Sequence, residues 1–132
     1  MRQELEAWMK RKILVVDDEP EMAQMLADFL DHAGYEVKTA GDGQLALDSV
    51  RETPPDLILM DILLPKMDGW IVCQKLKVEE RSKQIPIILF SGMLAGDSPA
   101  DPMVEKCDYL IAKPVEMQNL LQKIRQFLPP AA

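Results

Sequence analysis

Near its beginning the chain carries Ile13-Leu14-Val15-Val16-Asp17-Asp18, four aliphatic residues followed by two acids. A second apolar run, Leu57 to Met60, ends in a single acid, Asp61. Apolar runs of this length, bounded by polar residues, are typical of strands that are buried on both faces of a parallel sheet. Such sheets bind ligands at the carboxyl ends of their strands. If the two strands are neighbours, the sequence therefore predicts that three carboxylates meet at one edge.

Carboxylates gathered in this way repel one another unless a cation binds among them or one of them is protonated. Oxygen ligands of this kind suit Mg²⁺, which takes one or two carboxylates, several waters and a phosphate. Each acid could instead cap the helix that follows its strand. The metal is the favoured interpretation, because two further strands also end in polar groups.

Those strands deliver a hydroxyl and an amine to the same predicted edge. Pro86 to Phe90 is followed by Ser91, and Tyr109 to Ala112 is followed by Lys113. A metal, a nucleophilic carboxylate, a hydroxyl donor and a fixed cation are the parts that phosphoryl transfer needs. Asp61 is the predicted acceptor, because it stands alone between the acid pair and the Ser–Lys side.

Amphipathic segments alternate with the apolar runs, which is the pattern of a parallel α/β sheet. The first helix is predicted to begin at Pro20 and to end at Gly34. Its apolar face is predicted to contain Met22, Met25, Leu26, Phe29 and Leu30. The remaining predicted elements are a short edge-like strand at Glu36 to Ala40 and helices at Gln44 to Glu52, Gly69 to Glu79 and Glu116 to Leu128.

With these motifs in place, the chain resembles the receiver domain of two-component response regulators. The resemblance covers residues 12–128, leaving 1–11 as an N-terminal extension and 129–132 as a C-terminal tail. It rests on Asp17-Asp18, the segment Met60 to Gly69, Ser91-Gly92 and Lys113-Pro114. It implies a single doubly wound, flavodoxin-like α/β domain, with a five-stranded parallel sheet in the order 2-1-3-4-5 and helices on both faces.

The resemblance also implies a role for each site residue. Asp61 would accept the phosphoryl group, while Asp18 would bind Mg²⁺ directly and Asp17 more loosely or through water. Besides Asp61, the backbone carbonyl of Leu63 would be a further metal ligand. Ser91 would hydrogen-bond the bound phosphoryl group. Lys113 would pair with Asp61 and then with a phosphoryl oxygen.

A stand-alone receiver of this kind would take its phosphoryl group from a histidine kinase or a histidine phosphotransfer protein. It would signal to a downstream protein through the face made of helix four, strand five and helix five. It would assist only its own phosphorylation and dephosphorylation and would otherwise not be an enzyme. The alternatives are a Mg²⁺-dependent phosphohydrolase and a receiver fragment of a larger regulator. Hydrolases with an Asp nucleophile typically carry a second acid two residues later, and Leu63 at that position argues against the first alternative.

Composition agrees with one compact module that acts through protein contacts. A chain of 132 residues fits a single domain. Its net charge of −7 argues against contact with nucleic acid, which needs a basic face. No apolar stretch approaches the roughly 18 residues that cross a bilayer, and no secretory leader is apparent. The predicted location is the cytoplasm, with Cys73 and Cys107 as reduced thiols.

Two regions depart from the family pattern. The aromatic residue that usually stands three positions before the Lys is replaced by Leu110. Tyr109 comes one position earlier and should point to the opposite face, unless a bulge re-aims it. The segment from Met93 to Lys106, where helix four should lie, contains a glycine and two prolines. Helix four is therefore predicted to be short or partly disordered.

Overall fold

The computed structural model describes residues 10–91, 108–112 and 115–128, with only the backbone of Ser91. Within these ranges the strands are β1 (Lys12–Val16), β2 (Glu36–Ala40), β3 (Leu57–Asp61), β4 (Ile87–Ser91) and β5 (Tyr109–Ala112). The helices are α1 (Pro20–His32), α2 (Gly43–Glu52), α3 (Gly69–Val78) and a C-terminal helix (Met117–Phe127). Every predicted bound of these elements agrees with the structure to within one residue, except that Gly34 lies just beyond α1, where its φ of 104° ends the helix.

The five strands form one sheet in the order β2-β1-β3-β4-β5, and all four strand pairs are parallel. This confirms the doubly wound α/β fold. β1 and β3 are neighbours, with Val16 paired to Met60. The acids that follow these two residues therefore leave the sheet side by side.

Alternating side chains of the central strands supply two separate cores. Leu14, Ile58 and Leu89 belong to a cluster that also contains buried residues of α2 and α3. Ile13 and Leu59 belong to a second cluster, which contains buried residues of α1 and the C-terminal helix. Because helices cover both faces, these strands are apolar at nearly every position rather than at alternate ones.

The predicted apolar face of α1 is partly wrong. Met25 is 48% exposed, and the buried residues of α1 are Ala23, Leu26, Ala27 and Leu30. The two alanines face the sheet, so the buried stripe is rotated away from Met25. Small side chains carry little hydropathy, and a search for large apolar residues at helical spacing passes over them.

The first two side chains of β5 lie on opposite faces of the sheet. Its pairing with β4 runs without interruption from Ile88–Tyr109 to Ser91–Ala112, so the described strand contains no bulge. Leu110 packs against the core under α2 and α3. The Tyr109 ring lies on the other side, against Phe127 of the C-terminal helix. The prediction that these side chains point to opposite faces is confirmed.

A network at the amino ends of β4 and β5 was not apparent from the sequence. The Lys77 ammonium donates to the carbonyl of Ile85 at 2.8 Å and to the carboxylate of Asp108 at 2.7 Å. The same Asp108 oxygen accepts the N–H of Ile87 at 2.7 Å. These bonds fix the starts of the two strands relative to α3.

The segment from residue 93 to residue 106 lies outside the described residues, so the short or partly disordered helix four remains a prediction. Among the helices that the structure does describe, none is long and apolar enough to cross a membrane.

Tyr35 provides a pH-dependent test of this packing. Its side chain is buried, and its hydroxyl donates to the carbonyl of Leu128 at 3.1 Å. Burial, which outweighs the nearby charge of Arg125, raises the pKa of Tyr35 above 10.0. The neutral phenol therefore contributes its full stabilisation below about pH 10, and this is lost as the pH rises through the folded-state pKa.

We expect Tyr35→Phe to lower the free energy of unfolding by about 1 kcal/mol at neutral pH, because one buried hydrogen bond is lost. Above about pH 10 the wild-type value should fall more steeply than that of Tyr35→Phe. Urea unfolding across this pH range measures both values, with Tyr109→Phe as a control at a partly exposed tyrosine. Parallel pH profiles for wild type and Tyr35→Phe would contradict this account.

Candidate functional site

Three acids meet at the carboxyl ends of β1 and β3. Asp17, Asp18 and Asp61 each offer a carboxylate oxygen, and these atoms all lie within 4.8 Å of one another. Asp17 is 3% exposed and Asp61 is 5% exposed, whereas Asp18 is open to solvent. The predicted meeting of three carboxylates at one edge is therefore confirmed. Their chemical roles remain predictions.

Local backbone bonds set the orientation of the two buried carboxylates. One oxygen of Asp17 accepts the N–H of Glu19 at 2.9 Å. One oxygen of Asp61 accepts the N–H of Leu63 at 3.1 Å. In each case an aspartate bonds to the backbone two residues further on, a turn that this short side chain favours. The strand ends therefore hold the acids before any ligand binds.

Electrostatic repulsion makes this cluster unfavourable on its own. Two unit charges 4.8 Å apart repel by roughly 3 kcal/mol at an effective dielectric constant of about 20. Burial of Asp17 and Asp61 adds a desolvation cost. The amino end of α1 offsets part of this, because the helix begins at Pro20 and directs its partial positive charge toward the acids.

A hard divalent cation bound among the acids would offset more of this repulsion. The donor set consists of oxygens alone, and two of its three carboxylates are already buried and oriented. Oxygen ligands in this number fit Mg²⁺ better than softer metals, which select nitrogen or sulfur. Leu63 follows Asp61 in the turn that its N–H stabilises, so its backbone lies beside the cluster.

The turn after Asp61 is held by close backbone packing. The N–H of Ile62 donates to the carbonyl of Phe90 at 3.0 Å, and the N–H of Gly69 donates to the carbonyl of Ile62 at 2.8 Å. A Cβ atom at Gly69 would lie 2.6 Å from the carbonyl oxygen of Asp61 and 2.9 Å from the Cα of Ile62. Glycine is therefore needed here for space. The motif contained Gly69, but the sequence alone did not reveal this contact.

Lys66 adds strain to the same turn. Its φ of 69° lies in the left-handed region, which costs a residue with a Cβ roughly 1–2 kcal/mol. No sequence signal identified this position, because lysine is not a residue that favours such a conformation.

An apolar cavity of about 460 Å³ adjoins the acids, between α1, β4 and the start of the C-terminal helix. Sequence reasoning missed it, because it joins residues that are distant in the chain. Met25, which was predicted to lie on the apolar face of α1, lies in its wall. The cavity is lined by Asp17, Met22, Met25, Leu26, Phe90, Val115 and Met117.

The remaining predicted site residues are located only in part. Phe90 pairs with Asp61, and Ser91 pairs with Ala112, so the ends of β4 and β5 lie at the same edge as the acids. The side chain of Ser91 and the whole of Lys113 lie outside the described residues. Their predicted roles are therefore not tested.

Residues 13–125 match the sequence model of the response regulator receiver domain, so the chain belongs to this family of signalling domains. One curated relative is RpaA of Synechocystis sp., a DNA-binding dual master transcriptional regulator. It is 32% identical over 117 residues, which cover 89% of this chain and 48% of RpaA. The chain spans about half the length of the curated relatives it matches.

Solved structures agree with this assignment. The chemotaxis response regulator CheY4 of Vibrio cholerae has a TM-score of 0.81 and 30% identity, and the match covers 90% of this chain and 99% of CheY4. The response regulator TrrA of Thermotoga maritima, solved in complex with Mg²⁺ and BeF, has a TM-score of 0.79 and 30% identity. That match covers 89% of this chain and 99% of TrrA.

The close contact at Gly69 yields a test. Gly69→Ala should lower the free energy of unfolding by about 1–3 kcal/mol, because the new methyl group must displace the backbone of Asp61 and Ile62. Gly41→Ala is the matched control, since a Cβ there meets nothing within 4 Å. Its effect should stay within about 0.5–1 kcal/mol of wild type. Chemical denaturation measures both, and equal effects of the two substitutions would refute the packing argument.

Proposed function

We propose that this chain is a phospho-accepting receiver of a two-component phosphorelay, in which Asp61 takes the phosphoryl group. The observation that carries the proposal is the position of Asp61, buried at the end of β3 with its carboxylate within 4.8 Å of those of Asp17 and Asp18. Membership of the receiver family supports a histidine kinase or a histidine phosphotransfer protein as the donor.

The reaction requires one oxygen of Asp61 to attack the donor's phosphorus in line with the leaving nitrogen. A bond forms between this oxygen and phosphorus as the bond between phosphorus and the histidine nitrogen breaks. The nitrogen keeps the electron pair and later takes up a proton. The bond from the Leu63 N–H and the backbone contact at Gly69 hold Asp61 in place, so little reorganisation is needed.

Asp17, Asp18, Asp61 and the carbonyl of Leu63 are the residues that we propose hold Mg²⁺. When bound, this ion supplies positive charge that lowers the repulsion between Asp61 and an incoming phosphoryl group. The oxygen-only donor set supports the proposal. TrrA, whose structure is similar to that of this chain, was solved in complex with Mg²⁺ and BeF, which also supports the proposal.

Ser91 and Lys113 complete the proposed site. Ser91 would donate a hydrogen bond to a phosphoryl oxygen, and Lys113 would pair first with Asp61 and then with the phosphoryl group. The pairing of β3 with β4 and of β4 with β5 supports these roles, because it brings the ends of the three strands to one edge.

A Mg²⁺-dependent phosphohydrolase is the alternative that the site fits less well. Leu63 is 54% exposed and occupies the position where such enzymes carry a general acid. Its side chain can neither donate nor accept a proton. The receiver family is also one of signalling domains. Steady release of phosphate from excess small phosphate esters would favour the hydrolase.

We take residues 12–128 as the receiver unit, flanked by 1–11 and 129–132. Output would pass to a downstream protein through the face that combines residues 93–106, β5 and the C-terminal helix. RpaA is described as DNA-binding, but a net charge of −7 supports protein contacts rather than nucleic acid as the role of these 132 residues.

Asp61→Asn tests the acceptor. The wild type should gain one phosphoryl mass from acetyl phosphate with Mg²⁺, whereas Asp61→Asn should gain none, because an amide oxygen cannot form the acyl phosphate. Asp68→Asn is the control, since Asp68 is an exposed acid of the same turn whose side chain makes no capping bond. Intact-mass spectrometry reads the result. Labelling of Asp61→Asn at the wild-type level would rule out the assignment.

Asp18→Ala tests the metal site. Without Mg²⁺, the variant should be more stable than wild type by about 1 kcal/mol, because one of three mutually repelling charges is gone. The rise in melting temperature on adding Mg²⁺ should shrink or vanish, because a ligand is lost. Glu21→Ala, which removes an exposed acid of α1, should leave that rise intact. An unchanged Mg²⁺ response in Asp18→Ala would mean that the ion binds elsewhere.

A further inference from the structure

Tyr109, at the start of β5, makes contacts that the phosphoryl site does not use. Its ring centroid lies 6.4 Å from that of Phe127, with the planes tilted by 57°. The ammonium of Lys123 lies 4.2 Å from the same centroid, within range of a cation–π interaction. Both partners belong to the second half of the C-terminal helix. Tyr109 thus connects the sheet to that part of the helix.

The other end of β5 lies at the proposed phosphoryl site. Ala112 pairs with Ser91, and Lys113 follows directly in the chain. The strand is paired with β4 at all four of its residues, and its three steps from residue 109 to residue 112 span only about 10 Å. A displacement of its carboxyl end is therefore shared by the whole strand, because a slip of part of it would break the ladder.

The end of the C-terminal helix is held from a second side. Leu128 is buried, and its carbonyl accepts the hydroxyl of Tyr35 at 3.1 Å. Tyr35 follows α1 and directly precedes β2, which lies at the opposite edge of the sheet from β5. The last turn therefore lies between a hydrogen bond to Tyr35 and the contacts that Tyr109 of β5 makes.

The Tyr109 contact is suited to rearrangement rather than to rigid support. Tyr109 is 38% exposed, and Lys123 is partly exposed. Cation–π pairs at such sites are weak compared with core packing. A small movement of β5 can therefore change the geometry of this contact without disturbing the core beneath Ile111.

We propose that Tyr109 is a positioning residue that passes the phosphoryl state of Asp61 along β5 to the last turn of the C-terminal helix, residues 123–128. This inference rests on the proposed function. The signal would leave the sheet through the contacts of Tyr109 with Phe127 and Lys123, and residues 123–128 would report it. Leu110, on the opposite face of the strand, has no part in this route.

Amide hydrogen exchange on the full chain, with and without Mg²⁺ and beryllofluoride, tests the proposal. In the wild type, exchange of residues 123–128 should change by about threefold or more on loading. Tyr109→Phe keeps the ring and should keep the response. Tyr109→Ser should lose it while binding beryllofluoride with an affinity within about twofold of wild type, as judged by protection of residues 61–69. Leu110→Ala is the control on the same strand and should still respond.

A second pair of variants separates signalling from stability. Lys123→Arg should retain the response and Lys123→Met should weaken it, although both keep a long side chain at this partly exposed position. These variants carry the test if Tyr109→Ser does not fold. A loaded wild type with unchanged exchange at residues 123–128, or a full response in both Tyr109→Ser and Lys123→Met, would overturn the inference. Failure of beryllofluoride to protect residues 61–69 of the wild type would instead overturn the proposed function.

Discussion

The surrounding structure must hold three mutually repelling carboxylates close together. Because β1 and β3 are adjacent parallel strands, Asp17 and Asp61 leave the sheet next to each other, and Asp18 completes the cluster. Holding these charges together requires a rigid base. Strands buried on both faces, with α1 beginning at the cluster, provide it. A cation or positively charged group that binds among the acids relieves this repulsion, and that relief contributes to its binding free energy.

The elements at this edge of the sheet differ in how tightly they are packed. The turn after Asp61 is tightly constrained, since Gly69 packs directly on its backbone and Lys66 is held in a strained conformation. Strand β5 is different, because its first side chain rests on a partly exposed helix surface rather than in a core. A firmly held Asp61 and a more loosely packed strand two places away in the sheet are consistent with the two-state switch that we propose.

Much of this architecture could be predicted because local signals agreed with one another. Each apolar run ended in a polar residue, and parallel strands necessarily bring such ends to one edge. The α/β class and the element bounds follow from that. The strand order, which makes β1 and β3 neighbours and so brings Asp17, Asp18 and Asp61 together, was implied by the resemblance to receiver domains. Contacts between distant residues could not be predicted, because no local pattern encodes them. The Lys77–Asp108 network is one example, and the alanine stripe of α1 that leaves Met25 exposed is another.

The methionine-lined cavity beside the acids has a practical consequence. Met25 is 48% exposed and lies in its wall, so its thioether is accessible to peroxide, whereas fully buried Met60 of β3 is shielded. Oxidation turns an apolar, flexible side chain into a polar sulfoxide. Because Met25 is outside the core, such damage would leave the fold intact while altering the surface next to Asp17. Aged preparations can therefore look native by circular dichroism and still differ at the site, a difference that intact-mass spectrometry detects as one added oxygen.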